Sequence, residues 1–180
     1  PCLITTANAE DPDLVGWWKL DDGAGLTAID SSGNGNDGKI TGTPNWIAAG
    51  KYEGALQFNG TDCFINCGNG ASLNQFTNQI TMSFWLKTSG FTTTWATVIS
   101  KGDGAWRMGR GSNGLGNVMH MGYSGGNYFD GTKVVTDNEW HFCAGVYNGS
   151  VATIYIDGTA DTTNTASVQI PNGGTYNVLI

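Results

Sequence analysis

Short stretches of apolar or alternating apolar and polar residues recur along the chain from Leu14 onward. They occupy 14–20, 54–59, 63–67, 80–87, 96–100, 106–109, 117–123, 140–147 and 151–157. Stretches of this length with a two-residue period are typical of β-strands, because successive side chains of a strand point to opposite faces. No segment of about ten residues shows the 3.6-residue period of an amphipathic helix. The pattern therefore predicts antiparallel strands with few or no helices.

Pairs of Asn-Gly and Asp-Gly separate these stretches and predict tight turns, because both residues of such a pair tolerate positive φ. They stand at 22–23, 34–35, 59–60, 103–104, 148–149 and 157–158. The clearest hairpin covers 140–157, where alternating apolar residues lead into the turn at 148–150 and return through Ile154 and Ile156. Because no strand-helix-strand rhythm exists, the predicted layers are sheet on sheet. The predicted fold is an all-β, two-sheet antiparallel jelly-roll sandwich.

The composition limits the chain to one domain and excludes some partners. The 180 residues are 39% hydrophobic, enough for one substantial core, and 28 glycines with only 13% charged residues suit short strands and tight turns. The net charge is -7 and the eight Lys and Arg are scattered singly, so we expect no nucleic-acid partner. No apolar run approaches the length that crosses a bilayer, so we expect no membrane insertion.

The first nine residues predict an exported protein. Ala7-Asn8-Ala9 has the small-x-small pattern of a signal-peptidase site, and the acidic, Pro-containing segment after it is not helical. We interpret 1–9 as a signal peptide remnant cleaved after Ala9, and 10–180 as the domain; a flexible terminal tail is the alternative. The expected location is secreted or at the cell surface, with other domains on the same longer chain.

The cysteines do not form a complete disulfide framework. Cys2 would leave with the signal peptide, and Cys63, Cys67 and Cys143 remain, an odd number. Cys63 and Cys67 are too far apart to bond along one extended strand. A bond between either of them and Cys143, and free thiols packed as small apolar side chains, both stay open.

The ordered set of segments resembles a known family, the laminin G-like jelly rolls of the concanavalin A-like lectin and glucanase superfamily. The segments at 14–25 and 30–38 resemble its opening strand and its characteristic loop. Further matching segments follow in the family's order at 54–60, 82–87, 98–102, 140–144 and 154–158. The resemblance implies a binding module of secreted or surface proteins, often for carbohydrate and often with structural calcium. It also implies that a C-terminal strand is missing, because the family closes with an Asp-rich strand after the 178–180 position.

The loop at 30–38 is the candidate calcium site. Asp30, Asn34, Asn36 and Asp37 offer hard oxygen ligands among glycines that let the backbone turn. From the residues alone, a turn cluster satisfied by its own backbone explains the same pattern at least as well. The family resemblance favours structural calcium.

Aromatic residues near turns are the candidate ligand surface. Flat rings stack on sugar faces, and seven tryptophans are many for a domain of this size. We assign Trp18 or Trp17, Trp85 and Trp140 to the core. The predicted ligand-binding residues are Trp95, Trp106, Arg107, Tyr123 and Tyr128, pictured as half-exposed rings with arginine as a hydrogen-bond donor. Anchoring of loops by these rings is the alternative.

Catalysis is not expected. A glucanase site needs two carboxylates on one strand face, whereas Glu53 and Glu139 lie singly beside turns. His120 and His141 are the only histidines, and no Gly-x-Ser-x-Gly motif exists to pair either with a nucleophile. The predicted function is non-catalytic binding of carbohydrate or a glycoprotein surface, or adhesion, by a larger exported protein. The alternatives are a protein-protein spacer and a degenerate glycoside hydrolase.

Overall fold

The computed structural model describes residues 11–110, 116–171 and 173–180. Within those ranges the chain forms thirteen β-strands, all paired antiparallel, and one 3-10 turn at Ser72–Asn74. The strands are β1 (Thr27–Ala28), β2 (Gly38–Thr41), β3 (Asn45–Ile47), β4 (Ala55–Gln57), β5 (Phe64–Asn66), β6 (Ile80–Lys87), β7 (Thr97–Ser100), β8 (Arg107–Arg110), β9 (Val118–Ser124), β10 (Asn127–Val134), β11 (Trp140–Tyr147), β12 (Val151–Ile156) and β13 (Thr159–Thr165). The all-β prediction is confirmed. The predicted signal peptide remnant, 1–9, lies outside the described residues.

The first layer is a sheet that the C-terminal residues hold together. Its two groups of strands have the orders β1-β2-β5 and β10-β9-β8-β7. Leu179 lies between them, bridging Asn66 of β5 and Ser100 of β7. On either side of Leu179, Val178 and Ile180 exchange backbone hydrogen bonds with the β5 segment. The apolar C-terminal segment is thus an interior strand of this layer, which we call the first sheet.

The second sheet has the order β13-β12-β11-β6, and β6 and β11 pair along their full length. The two sheets pack face to face. The rings of Tyr123 on β9 and Tyr147 on β11 lie 4.6 Å apart between their centroids. A methyl group placed at Gly145 on β11 would lie within 2.9 Å of the sulfurs of Met108 and Met121. The core therefore lies between the sheets, as a jelly-roll sandwich requires.

Two details of the sequence interpretation are wrong. The stretch at 14–20 forms no strand; its contact with the sheet is the bridge between Trp18 and Asp30, and Leu20 interrupts it with φ +59°. Trp85 and Trp140 are not core residues, because the core-facing positions of β6 and β11 have the opposite parity and carry Met82 and Cys143. Trp85 packs instead on the outer face, 5.3 Å from the ring of Phe142.

The cysteines of the described residues are free: Cys63, Cys67 and Cys143. Burial raises the pKa of both the Cys67 and the Cys143 thiol to about 12, so these two stay protonated and unreactive. Within the ranges given above, no helix has the length and apolar character needed to cross a membrane.

Candidate functional site

The outward face of strands β8, β9 and β10 carries the candidate site. Met119, Met121 and Tyr123 of β9 point into the core and are fully buried, so the alternate residues His120 and Gly122 point outward. Strand register places Gly109 and Asp130 on either side of His120, and Arg107 and Tyr128 on either side of Gly122. Polar and aromatic side chains from three strands therefore meet on one face.

Two half-exposed aromatic rings flank His120. Trp95, in the loop before β7, is 50% exposed, and Tyr128 is 49% exposed. Each ring centroid lies 5.5 Å from the imidazole centroid, with Trp95 edge-on at 83° and Tyr128 tilted by 39°. We call Trp95, His120 and Tyr128 the aromatic platform. Exposed rings of this kind offer apolar faces to a flat ligand such as a sugar.

Arg107 supplies the positive charge beside the platform. Its guanidinium carbon lies 5.9 Å from the centroid of the Trp95 ring. Nη1 donates a hydrogen bond of 2.8 Å to the Asp103 carbonyl and lies 3.3 Å from the Asp103 carboxylate. The side chain runs across Gly122, where an added methyl group would lie 3.2 Å from Arg107 Cγ. The glycine thus makes room for the arginine on this face.

His120 is the buried centre of the platform. Its Nδ1 lies 2.7 Å from Oδ1 of Asp130, and its side chain is almost fully buried. Burial lowers the pKa of His120 below its ordinary value; the positive charge of Arg107 acts in the same direction, while Asp130 opposes both. The other ring nitrogen, Nε2, is buried and has no hydrogen-bond partner within the described part of the chain.

The structure brings together only some of the predicted ligand-binding residues. Trp95, Arg107 and Tyr128 meet on the outward face, whereas Trp106 and Tyr123, expected to be half exposed, are 4% and 0% exposed. Trp106 packs edge-on against Phe76, and Tyr123 stacks on Tyr147. Both therefore belong to the core.

Sequence reasoning missed His120 and Asp130 as members of this site. The available signal was the alternation of His120 with apolar residues along β9. Glu53 and Glu139, the carboxylates weighed for hydrolysis, are both exposed.

The candidate calcium loop is tied together by its own hydrogen bonds. The carboxylate of Asp30 accepts hydrogen bonds from the backbone N–H groups of Trp17, Ser32 and Asn36, at 2.9 Å each, and from the Ser32 hydroxyl. In turn, Asp37 Oδ1 accepts the backbone N–H of Asp30 at 2.8 Å. Burial acts to raise the pKa of Asp30, but these hydrogen bonds outweigh it and hold the pKa below its usual range.

The other two predicted calcium ligands also bond within the protein. The side-chain amide of Asn34 donates hydrogen bonds to the backbone carbonyls of Leu14 and Val15. The side-chain amide of Asn36 donates a hydrogen bond to the Val15 carbonyl. Among the described residues, no three His, Cys, Asp or Glu side chains form a group that could hold a metal. As folded, the loop directs its Asp30 oxygens to protein donors and does not fit a cation at that carboxylate. Structural calcium elsewhere on the loop stays a prediction.

A second histidine cluster predicts how stability depends on pH. His141 Nδ1 lies 2.9 Å from Asp157 Oδ2, and Nε2 lies 3.0 Å from Asp137 Oδ1. Burial acts to lower the pKa of His141, but hydrogen bonds to the two carboxylates outweigh it and raise the pKa above 6.5. Because both carboxylates accept hydrogen bonds, this arrangement favours the doubly protonated, positively charged imidazole.

We expect the contribution of His141 to the free energy of unfolding to decrease as pH rises from the ordinary histidine pKa of 6.5 into the alkaline range. A histidine whose pKa is raised by folding stabilises the protein fully below its unfolded pKa and loses that contribution as pH rises through its folded pKa. The measurement is urea unfolding of wild type and His141→Gln across this range. The free energy of unfolding of His141→Gln should change less with pH than that of wild type. Equal slopes of the two pH profiles would contradict the role assigned to His141.

Comparison with known proteins agrees with this architecture. A family profile described as the concanavalin A-like lectin/glucanases superfamily matches residues 58–180. No curated protein matches the chain.

Two solved structures illustrate the likeness in fold. The first is domain 4 of AbnA, a GH43 extracellular arabinanase from Geobacillus stearothermophilus, in complex with arabinotriose. Its sequence is 23% identical to this chain. The match covers 84% of this chain and 76% of that chain, with a TM-score of 0.64. The binding domain of Paraclostridial Mosquitocidal Protein 1 is 14% identical, with 89% and 48% covered and a TM-score of 0.60. This chain thus spans about half the length of the second structure. These structures share the fold, and the profile covers more than half of the sequence; the chain belongs to the concanavalin A-like lectin/glucanases superfamily.

Proposed function

We propose that this domain is a non-catalytic, carbohydrate-binding module that holds its sugar on the aromatic platform. The observation that carries the proposal is the pair of half-exposed rings, Trp95 and Tyr128, on either side of a buried histidine with an unpaired ring nitrogen. Apolar ring faces combined with a few fixed polar groups are the general requirements of a site that orients a small ligand.

The surroundings of the platform support a neutral glycan. The Arg107 charge is paired with Asp103, and Asp130 faces His120, so both signs of charge are present and neither dominates the face. An arabinanase domain of similar fold was solved with arabinotriose, an uncharged oligosaccharide. We further propose that the module belongs to a larger protein that is secreted or displayed on the cell surface. The extracellular arabinanase of similar fold supports this location.

Replacing Trp95 or Tyr128 with alanine is expected to weaken glycan binding about tenfold or more. The ring's buried area and its stacking together contribute at least about 1.4 kcal/mol, which corresponds to a factor of ten in Kd. Binding is measured by calorimetric titration with three neutral trisaccharides: arabinotriose, xylotriose and cellotriose.

Trp17→Ala is the matched control, because Trp17 is 49% exposed but stacks under Lys19 away from the platform. It should bind like wild type. Equal losses of glycan affinity in Trp17→Ala and Trp95→Ala would mean that the sugar does not bind at the aromatic platform. Wild-type protein that binds none of the trisaccharides would count against the proposal itself.

A further inference from the structure

The unpaired Nε2 of His120 is the least explained polar atom of the platform. Buried polar atoms nearly always have a partner, because leaving one unpaired costs free energy. Nε2 is buried and finds none within residues 11–110, 116–171 and 173–180. On the same ring, Nδ1 is held by Asp130 at 2.7 Å. The imidazole is therefore held in place by a hydrogen bond at Nδ1, while Nε2 makes no hydrogen bond to the described residues.

Asp130 decides which kind of partner Nε2 requires. A carboxylate oxygen only accepts hydrogen bonds, so Nδ1 carries the proton and Nε2 of the neutral ring presents a lone pair. The charged and titratable groups that contact His120 or act on it are Asp130 on β10, Arg107 on β8 and the Tyr128 phenol. Burial and the Arg107 charge lower the pKa of His120, which keeps the ring neutral near pH 7. Nε2 consequently needs a donor.

Trp95 is the part of the platform that can uncover this nitrogen. Its ring rests edge-on against the imidazole and is half exposed. It lies in a loop and adopts φ +62°, a left-handed conformation that is uncommon for a bulky residue. Tyr128, the other ring of the platform, lies within β10 and is paired with Gly122 of β9, next to a register shift at Asn127. A shift of the Trp95 side chain would leave the strand pairing intact, because Trp95 lies outside β7.

We propose that Nε2 of His120 is the hydrogen-bond acceptor for a hydroxyl of the bound sugar, and that Trp95 turns aside to admit that hydroxyl. This inference rests on the proposed carbohydrate-binding function and adds a specificity rule to it. The sugar must bring a free O–H to the space between the two exposed rings. A saccharide with the same ring faces and oxygens but with its hydroxyls methylated is rejected, because it has no donor for Nε2.

Nitrogen NMR of histidine-labelled protein tests the inference directly, because the chain has only two histidines. At neutral pH, His120 should show one protonated and one unprotonated ring nitrogen, whereas His141, held by two carboxylates, should be protonated at both nitrogens to a greater extent than His120. The spectrum of His120→Gln assigns the signals. Addition of arabinotriose, xylotriose or cellotriose, whichever binds, should shift the unprotonated His120 signal and leave His141 unmoved. The shift should saturate together with the change in tryptophan fluorescence.

Two further measurements use the same trisaccharide. Its fully O-methylated form should bind at least tenfold more weakly than the free form to wild type. Binding by His120→Phe should be weakened to a similar extent, whereas His141→Gln should bind like wild type.

The outcomes separate this inference from the proposed function. Protonation of His120 at Nε2 in the free protein would overturn the inference, and so would saturating trisaccharide that changes the fluorescence without moving the His120 signal. Neither of those outcomes counts against binding of the trisaccharide itself. Absence of binding by all three trisaccharides would overturn both proposals together.

Discussion

Replacing Asp30 with alanine is expected to lower the free energy of unfolding by about 3 to 5 kcal/mol. The carboxylate of this buried residue accepts the backbone N–H groups of Trp17, Ser32 and Asn36. A buried donor left without an acceptor costs about 1 to 3 kcal/mol, and water entering the loop would satisfy part of the loss. The Asp30 side chain then no longer holds the Trp17 N–H beside the backbone bridge between Trp18 and Asp30.

Urea unfolding of wild type, Asp30→Ala and Asp30→Asn measures this effect. Asparagine keeps the size of the side chain and one acceptor oxygen, so Asp30→Asn should lose clearly less than Asp30→Ala. A loss below about 1 kcal/mol in Asp30→Ala would contradict the hydrogen-bonding role. Repeating the series with calcium or a chelator tests the metal prediction separately, because calcium bound to the native loop would raise wild-type stability.

The pH dependence of the same variant adds an independent check. Folding lowers the pKa of Asp30, so its stabilisation is present above the unfolded value of 3.8 and is lost as pH falls through the folded pKa. Wild type should therefore lose more stability than Asp30→Ala on acidification below about pH 4. If the free energies of unfolding of wild type and Asp30→Ala decreased in parallel as pH falls, the ionised carboxylate of Asp30 would not be the source of the stabilisation.

Strands with clear alternation of apolar residues were predictable from sequence, and strands rich in polar residues were not. The stretches at 80–87 and 140–147 coincide with β6 and β11, because both strands pair over their whole length and alternate clearly. Of the missed strands, β10 and β13 lie at the edges of their sheets, whereas the short, half-polar β2 lies between β1 and β5. Edge strands commonly carry polar residues. Strand β13 consists of Thr, Ala, Asp and Asn, a composition that is typical of a loop when the segment is considered by itself.

The site shows a corresponding limit. Trp95, Arg107 and Tyr128 could be proposed because aromatic and basic residues among glycines suggest a surface. Trp106 and Tyr123 stand in similar local sequence, yet strand parity and packing of the second sheet bury them. The meeting of His120 with Asp130 depends on the register of β9 with β10, a relation between strands that neither segment specifies by itself.

Replacing Lys101 with alanine is expected to lower the free energy of unfolding by about 3 kcal/mol. This lysine is fully buried, and its Nζ donates to Asn69 Oδ1 at 2.5 Å and to the Tyr176 carbonyl at 2.9 Å. Its aliphatic stem lies against Gly173, where an added methyl group would come within 2.9 Å of Cε. Alanine would leave a cavity together with two oxygens that have lost their donor, and large-to-small changes in a core cost about 2 to 5 kcal/mol.

The position of Lys101 makes this loss larger than that of an ordinary loop contact. Tyr176, whose carbonyl it holds, leads directly into Val178–Ile180, the interior segment that joins the two halves of the first sheet. Lys101→Met is the matched variant, because methionine keeps most of the apolar stem and removes a buried charge whose desolvation is itself costly. It should lose no more than about half of what Lys101→Ala loses in urea unfolding. Equal losses would mean that the ammonium hydrogen bonds, rather than the packed stem, hold the C-terminal strand in place.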